Sequence, residues 1–227
     1  MRSFSRIEDL ASARKGGTEG LAELLSQNQP KSPEELREIG DDRWLSMFTR
    51  CIFQAGFNWK VIDAKWDGFE EAFNSFDPAF LAFQPDEFYD RLTADTRIVR
   101  NGGKIRSVAD NARFICDLAK EHGSAAAFFA DYPVTDQTGL MELLKKRGSR
   151  LGGNTGQYAL RFMGKESFIL SKDVVNALIR ESVIENEALS KKNLTAIQAA
   201  FNEWKAVSGY NLNEISRILA FSVGTVD

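Results

Sequence analysis

Apolar residues return every three or four positions along most of this chain, and no run alternates apolar and polar for long enough to make a strand. Ile105, Val108, Ala112, Ile115 and Ala119 mark one helical face, and Leu194, Ile197, Phe201 and Trp204 another. The pattern is cut at NQPKSP (28–33), FDPAF (76–80), FQPDE (83–87), RNGGK (100–104), DYPVTDQTG (131–139), RLGGN (150–154) and VSGYN (207–211), where Pro, Gly and Asn stop helices. About a dozen short helices follow, so the chain is expected to be all-α. Ser32, Pro33 and Glu35 supply a cap, a first-position proline and a capping-box acid for one helix. The division expected is a helical appendage over residues 1–40 and a main helical domain over 41–227.

At 227 residues, with 43% hydrophobic and 27% charged side chains, the chain can bury a full core. Its apolar runs fall far short of the ~20 residues of a membrane span, and its first residues lack the apolar centre of a signal peptide, so a cytoplasmic protein without membrane partners is expected. Cys51, Cys116 and His122 are the only cysteines and histidine, too few for a four-ligand zinc site or a disulfide framework. They also offer no Ser-His or Cys-His pair, and His122 reads as a helix-ending residue, so neither metal nor cofactor is expected. The net charge of -3 argues against wholesale coating of nucleic acid. Local basic patches remain in RIVRNGGKIR, with Arg97, Arg100, Lys104 and Arg106, and in KKRGSR, with Lys145, Lys146, Arg147 and Arg150.

The stretch Leu140–Val175 carries the most chemistry. It reads as a helix, LMELLKKRGSR, a hairpin of Leu151, Gly152, Gly153, Asn154, Thr155 and Gly156, and a second helix, QYALRF. Adjacent glycines turn the backbone tightly and bring amide hydrogens close to an outside anion, with a helix N-terminus aimed at the same point. Such a hairpin grips a phosphate without side-chain charge. Farther on, Ser171 is a good N-cap and sets Asp173 in the first turn of a new helix. On the residues alone, its carboxylate reads as an acid favouring the helix dipole.

In CIFQAGFNWKVIDAKW a helix ending near Gln54 meets another beginning near Asn58, with Ala55, Gly56 and Phe57 at a tight corner. Gln54 can hydrogen-bond base edges and Phe57 can wedge between bases, although an isolated Phe more often packs in a core. Trp59 and Phe53 lie beside the corner and can sandwich a flat heterocycle, best of all a cationic one.

QAGFNW followed by FDP, then RIVRNGGKI with NAR behind it, then KKRGSRLGGNT with Tyr158, resembles the 3-methyladenine DNA glycosylase I family, within the wider helix-hairpin-helix glycosylase superfamily. The resemblance covers about Trp44 to Leu178. It implies an all-helical, two-lobed, monofunctional enzyme that binds double-stranded DNA as a monomer. A damaged purine would flip into a cleft between the lobes, where its N-glycosidic bond is hydrolysed. Gln54 and Phe57 would fill the gap left by the flipped base. Cys51, Phe53, Trp59 and Tyr158 would line the base pocket. Arg100, Asn101, Gly102 and Lys104 would meet DNA together with the hairpin from Gly152 to Gly156.

Two departures stand out. Cys51 occupies the place of the family's base-reading glutamate, and the family's Cys/His zinc site has no counterpart. The long C-terminal helices can hold the two ends of the chain together by burying apolar faces instead. A purine alkylated at N3 is a cationic leaving group, so positioning does most of the work and Asp173 would steady the oxocarbenium-like transition state or orient water. Glu166 is a weaker candidate for that role. Lys172, beside Asp173, leaves a lyase activity open. The alternatives are a damage-binding protein of the same fold without chemistry, suggested by Cys51, and a helical protein-interaction module that does not touch DNA.

Overall fold

The computed structural model describes residues 3–224, and among these the chain forms fifteen α-helices and two short 3-10 turns, without strands. In order they are α1 (Phe4–Arg14), α2 (Gly17–Ser26), α3 (Pro33–Arg37), α4 (Asp41–Gln54), α5 (Trp59–Ala64), α6 (Trp66–Ala72), α7 (Pro78–Ala82) and α8 (Asp86–Leu92). After them come α9 (Gly102–His122), α10 (Ala125–Asp131), α11 (Gln137–Arg147), α12 (Asn154–Met163), α13 (Lys172–Arg180), α14 (Lys191–Ser208) and α15 (Leu212–Phe221).

Local chemistry fixes most of the ends. The Ser32 hydroxyl accepts from the Glu35 amide while the Glu35 carboxylate accepts from the Ser32 amide, with Pro33 in the first helical position. Asn211 and Glu214 repeat this capping box at α15. Asn101, Ser124, Ser171 and Ser190 cap α9, α10, α13 and α14 through their side chains. His122 closes α9, its imidazole beside the Phe128 ring. No described helix is long and apolar enough to cross a membrane.

The chain divides into two compact units. One takes in Lys31–Tyr132 and Met141–Lys165. Its centre is α4, whose buried Trp44, Leu45, Phe48, Ile52 and Phe53 pack against α9 and α12. Trp44 stacks on Phe129 of α10 at 4.2 Å between centroids. Each such ring stabilises the fold by roughly 2 kcal/mol through burial alone. A second aromatic group, Trp66, Phe69, Phe73 and Phe76, stacks alongside, and Arg43 ties it down by a two-pronged bond to Glu70 at 2.9 Å and by donating to the Ser75 carbonyl.

The other unit takes in Met1–Pro30, Pro133–Leu140 and Glu166–Asp227. Here α1 packs on α14 and α15. Phe4 lies 5.8 Å from the Trp204 ring, the Tyr210 hydroxyl donates to Glu8 at 2.6 Å, and Arg14 donates to the Ser222 carbonyl at 2.8 Å. Residues 3–30 and the C-terminal helices thus share one core, whereas the sequence sets its boundary after residue 40. Glu166 is engaged within this unit, accepting from the Leu212 amide at 2.9 Å and from Lys205. A carboxylate so held organises the start of α15 and is no free base.

Candidate nucleic-acid interface

Within the first unit, the end of α4, the start of α5 and the start of α12 enclose a hollow of about 170 Å³. One side is the corner: Cys51, Gln54, Ala55 and Gly56, with Trp59 beyond. The opposite side is Asn154, Thr155 and Tyr158 of α12. At ~30 Å³ per water molecule this space equals five or six waters, enough for one flat ring system and well below a drug-sized site.

The corner has the geometry its residues dictate. α4 ends at Gln54, Gly56 turns with φ +72°, and Phe57 closes a backbone bond to the Gln54 carbonyl at 3.1 Å. Asn58 caps α5 by accepting from the Lys60 amide, which makes Trp59 the first helical residue. Trp59 is 44% exposed and stands at right angles to Tyr158 at 5.9 Å and to Phe162 at 6.1 Å, with part of its indole open to solvent. Phe57 is 46% exposed. Phe53 is not part of the hollow, contrary to the sandwich expected from its position. It faces the opposite side of α4, fully buried and edge-on to Phe69 at 4.7 Å.

Cys51 lines the hollow as a thiol. Burial pushes it up to about 12, and the nearby Arg50 only partly offsets that. The floor is therefore neutral at physiological pH.

The hairpin begins one helical turn earlier than its spelling suggests. α11 ends at Arg147 and α12 starts at Asn154, so the connecting turn is 148–153 and Gly156 lies inside the second helix. Gly153 adopts φ +58° and ψ -140°, and a Cβ there would meet nothing within 4 Å. That backbone is open to glycine alone, and the exposed amides of α12 have no side-chain cap. Gly156 serves packing instead: a Cβ would fall 2.4 Å from the Leu151 carbonyl oxygen.

RNGGK behaves differently from the turn its glycines suggest. Asn101 caps α9 by accepting from the Lys104 amide, and Gly102 and Gly103 are the first residues of that helix, neither with positive φ. Lys104 points at the corner, donating to the Ala55 carbonyl at 2.6 Å and the Phe53 carbonyl at 3.2 Å, with its ammonium 5.5 Å from the Phe57 ring centre. It satisfies the last carbonyls of α4 and braces the Phe57 ring. Burial, then the repulsion of Arg150, holds this ammonium below the usual lysine range.

Of the basic residues, Arg97 pairs with Asp95 and Glu71, Arg106 with Asp90, and Arg147 with Glu121. Arg100, Lys145 and Lys146 are exposed and make no ion pair among the described residues. Asp173 is exposed on the first turn of α13, in the other unit, with Ser171 capping that helix.

Three positioning groups escape a sequence reading. Fully buried Asn111 clasps the hairpin, donating to the Ser149 carbonyl at 3.0 Å and accepting from the Ser149 amide at 2.8 Å. Arg150, at φ +62°, donates to the Gly103 carbonyl at 3.1 Å. Asp63 on α5 accepts from both Arg50 and Gln54. Asn111 alone leaves a trace in the sequence, as a polar residue among the buried Val108, Ala112 and Ile115.

The profile of the methyladenine glycosylase family matches residues 37–148, which contain the corner, Phe57 and Asn111. Over these residues the chain is similar to that family. A curated relative, DNA-3-methyladenine glycosylase 1 of Escherichia coli (strain K12), is 29% identical over 124 residues, a match covering 47% of this chain and 66% of the relative. Among solved structures, the 8-oxoguanine DNA glycosylase of Thermotoga maritima superposes with a TM-score of 0.53 at 18% identity, over 98% of both chains. A mutant 3-methyladenine DNA glycosylase I from Staphylococcus aureus gives 0.51 at 21%, over 67% of this chain and 90% of that one. The chain shares the all-α fold of these two structures, and within it α11, the 148–153 turn and α12 form two helices joined by a tight turn.

Proposed function

We propose that this protein is a monofunctional DNA glycosylase that flips an alkylated purine such as 3-methyladenine from duplex DNA and hydrolyses its N-glycosidic bond. It acts as a monomer in the cytoplasm, at the nucleoid. The observation carrying this reading is the juxtaposition of a half-exposed Trp59 with the uncapped α12 N-terminus across one small neutral hollow. The amides after Gly153, at the positive end of α12, suit a backbone phosphate. Phe57, braced by Lys104, suits the gap that a displaced base leaves.

The N3-alkylated purine carries positive charge, and the Trp59 indole attracts a flat cation by ~0.5–2 kcal/mol. Cleavage neutralises the leaving base and builds oxocarbenium character at the sugar. Asp173 remains the carboxylate assigned to that charge, on its place in the first turn of α13. The Proposed reading is tested by base release from randomly methylated DNA. Free 3-methyladenine should appear with an abasic strand that stays intact until alkali is added. Trp59→Ala should slow release by about tenfold to a hundredfold, since stacking of one base is worth ~1–3 kcal/mol. Full activity in that variant would overturn the pocket, and strand cutting at the rate of base release would overturn the monofunctional assignment.

A further inference from the structure

Gln54 is 5% exposed and lines the hollow, yet its carboxamide is already held from behind. Its Nε2 donates to Asp63 Oδ1 at 3.1 Å, and the same oxygen accepts from Arg50 Nη2 at 2.7 Å and Nε at 3.1 Å. Arg50 is itself steadied over the Trp66 ring, 5.4 Å from its centre. An ionised carboxylate can only accept, so the amide nitrogen must face Asp63. Turning the carboxamide over would set Oε1 against Oδ1, two acceptors with no proton between them. Oε1 is the end left over, and no hydrogen bond from the described residues reaches it. Cys51, the other polar group of the floor, is a neutral thiol and only a weak donor.

We propose that Asp63 is a positioning residue for base recognition: it locks the Gln54 carboxamide so that Oε1 is the acceptor offered to the base, and the hollow selects bases whose edge donates a hydrogen bond. This rests on the glycosylase reading above and names Gln54, with Asp63 behind it, as the specificity element where no carboxylate lines the floor. A base presenting a carbonyl at the same place would leave two acceptors unpaired, which a site built around a hydrogen bond rejects strongly.

The test is binding of two free bases, followed by quenching of tryptophan fluorescence: 3-methyladenine, and 3-methylhypoxanthine, which has a carbonyl oxygen where the first has an amino group. Wild type should prefer 3-methyladenine by about tenfold or more. Asp63→Ala frees the carboxamide to rotate and should narrow the preference to about twofold. Asp63→Asn should keep most of it, because Oδ1 of the new side chain still accepts from Arg50 and Gln54. Gln54→Ala should abolish the preference with Asp63 in place, and so decides the matter even if Asp63→Ala fails to fold. An undiminished preference in Asp63→Ala or Gln54→Ala, alongside normal base release by wild type, overturns this inference alone. Wild type that binds neither base and releases none from methylated DNA overturns the glycosylase reading with it.

Discussion

Two glycine pairs, Gly102-Gly103 and Gly152-Gly153, look alike on paper, each flanked by basic residues between helical segments. The first pair opens α9 with ordinary helical dihedrals, and a Cβ at Gly103 would meet the movable end of the Arg150 guanidinium at 2.6 Å. In the second pair Gly153 takes φ +58° facing open space, just before ten residues of helix. One pair opens a helix and the other answers a demand of its own backbone. Paired glycines therefore mark a tight turn only when the dihedral angle needs them.

The largest expected effect lies just beyond the second pair. Gly156→Val would drive a side chain into the Leu151 carbonyl, 2.4 Å away, and into Leu144 Cδ1 at 3.0 Å. A loss of about 3 kcal/mol is expected in denaturant unfolding, at the upper end of overpacking costs. A loss under about 1 kcal/mol would show that the hairpin and α12 are not closely packed there. Gly153→Ala comes next. Nothing obstructs its methyl group, so only the positive φ is penalised, by about 1–3 kcal/mol. Affinity for a methylated duplex, measured by fluorescence anisotropy, should fall about tenfold as the turn shifts by a fraction of the strain. Unchanged affinity would erase the distinction between the pairs. Gly102→Ala should be the mildest, because its Cβ would rest 3.7 Å from Thr93 Cγ2 and its φ is already negative. A gain of about 0.4–1 kcal/mol is expected from the stiffer unfolded chain, seen as a rise of a few degrees in Tm. A fall in Tm would reveal a backbone constraint at Gly102 like that at Gly153.

The helical class, the breaks at Gly209 and before Pro33, and the corner between Gln54 and Asn58 were legible because capping and periodicity are local properties. Trp59 and Tyr158 were named from the sequence, and the fold brings their rings together at right angles, 5.9 Å between centroids. Phe53 was misread because its neighbours in the chain lie at the corner while its side chain points to Phe69, a matter of helical phase. Gly156 was assigned to the turn because a glycine needed for close packing and one needed for positive φ are the same letter. Asp63 and Asn111 were invisible as partners because their bonds, to Gln54 and Ser149, span separations that only tertiary structure fixes.

The position of Lys104 has a consequence for ionic strength. Its ammonium is seated on two carbonyls of the chain's own backbone, and Arg97, Arg106 and Arg147 face carboxylates. A cation so occupied has little part in displacing the ions condensed around a polyanion, the process that makes association with DNA collapse in brine. On the proposed reading, the response to added salt falls to the exposed Arg100, Lys145 and Lys146, while the amides and the indole contribute none of it.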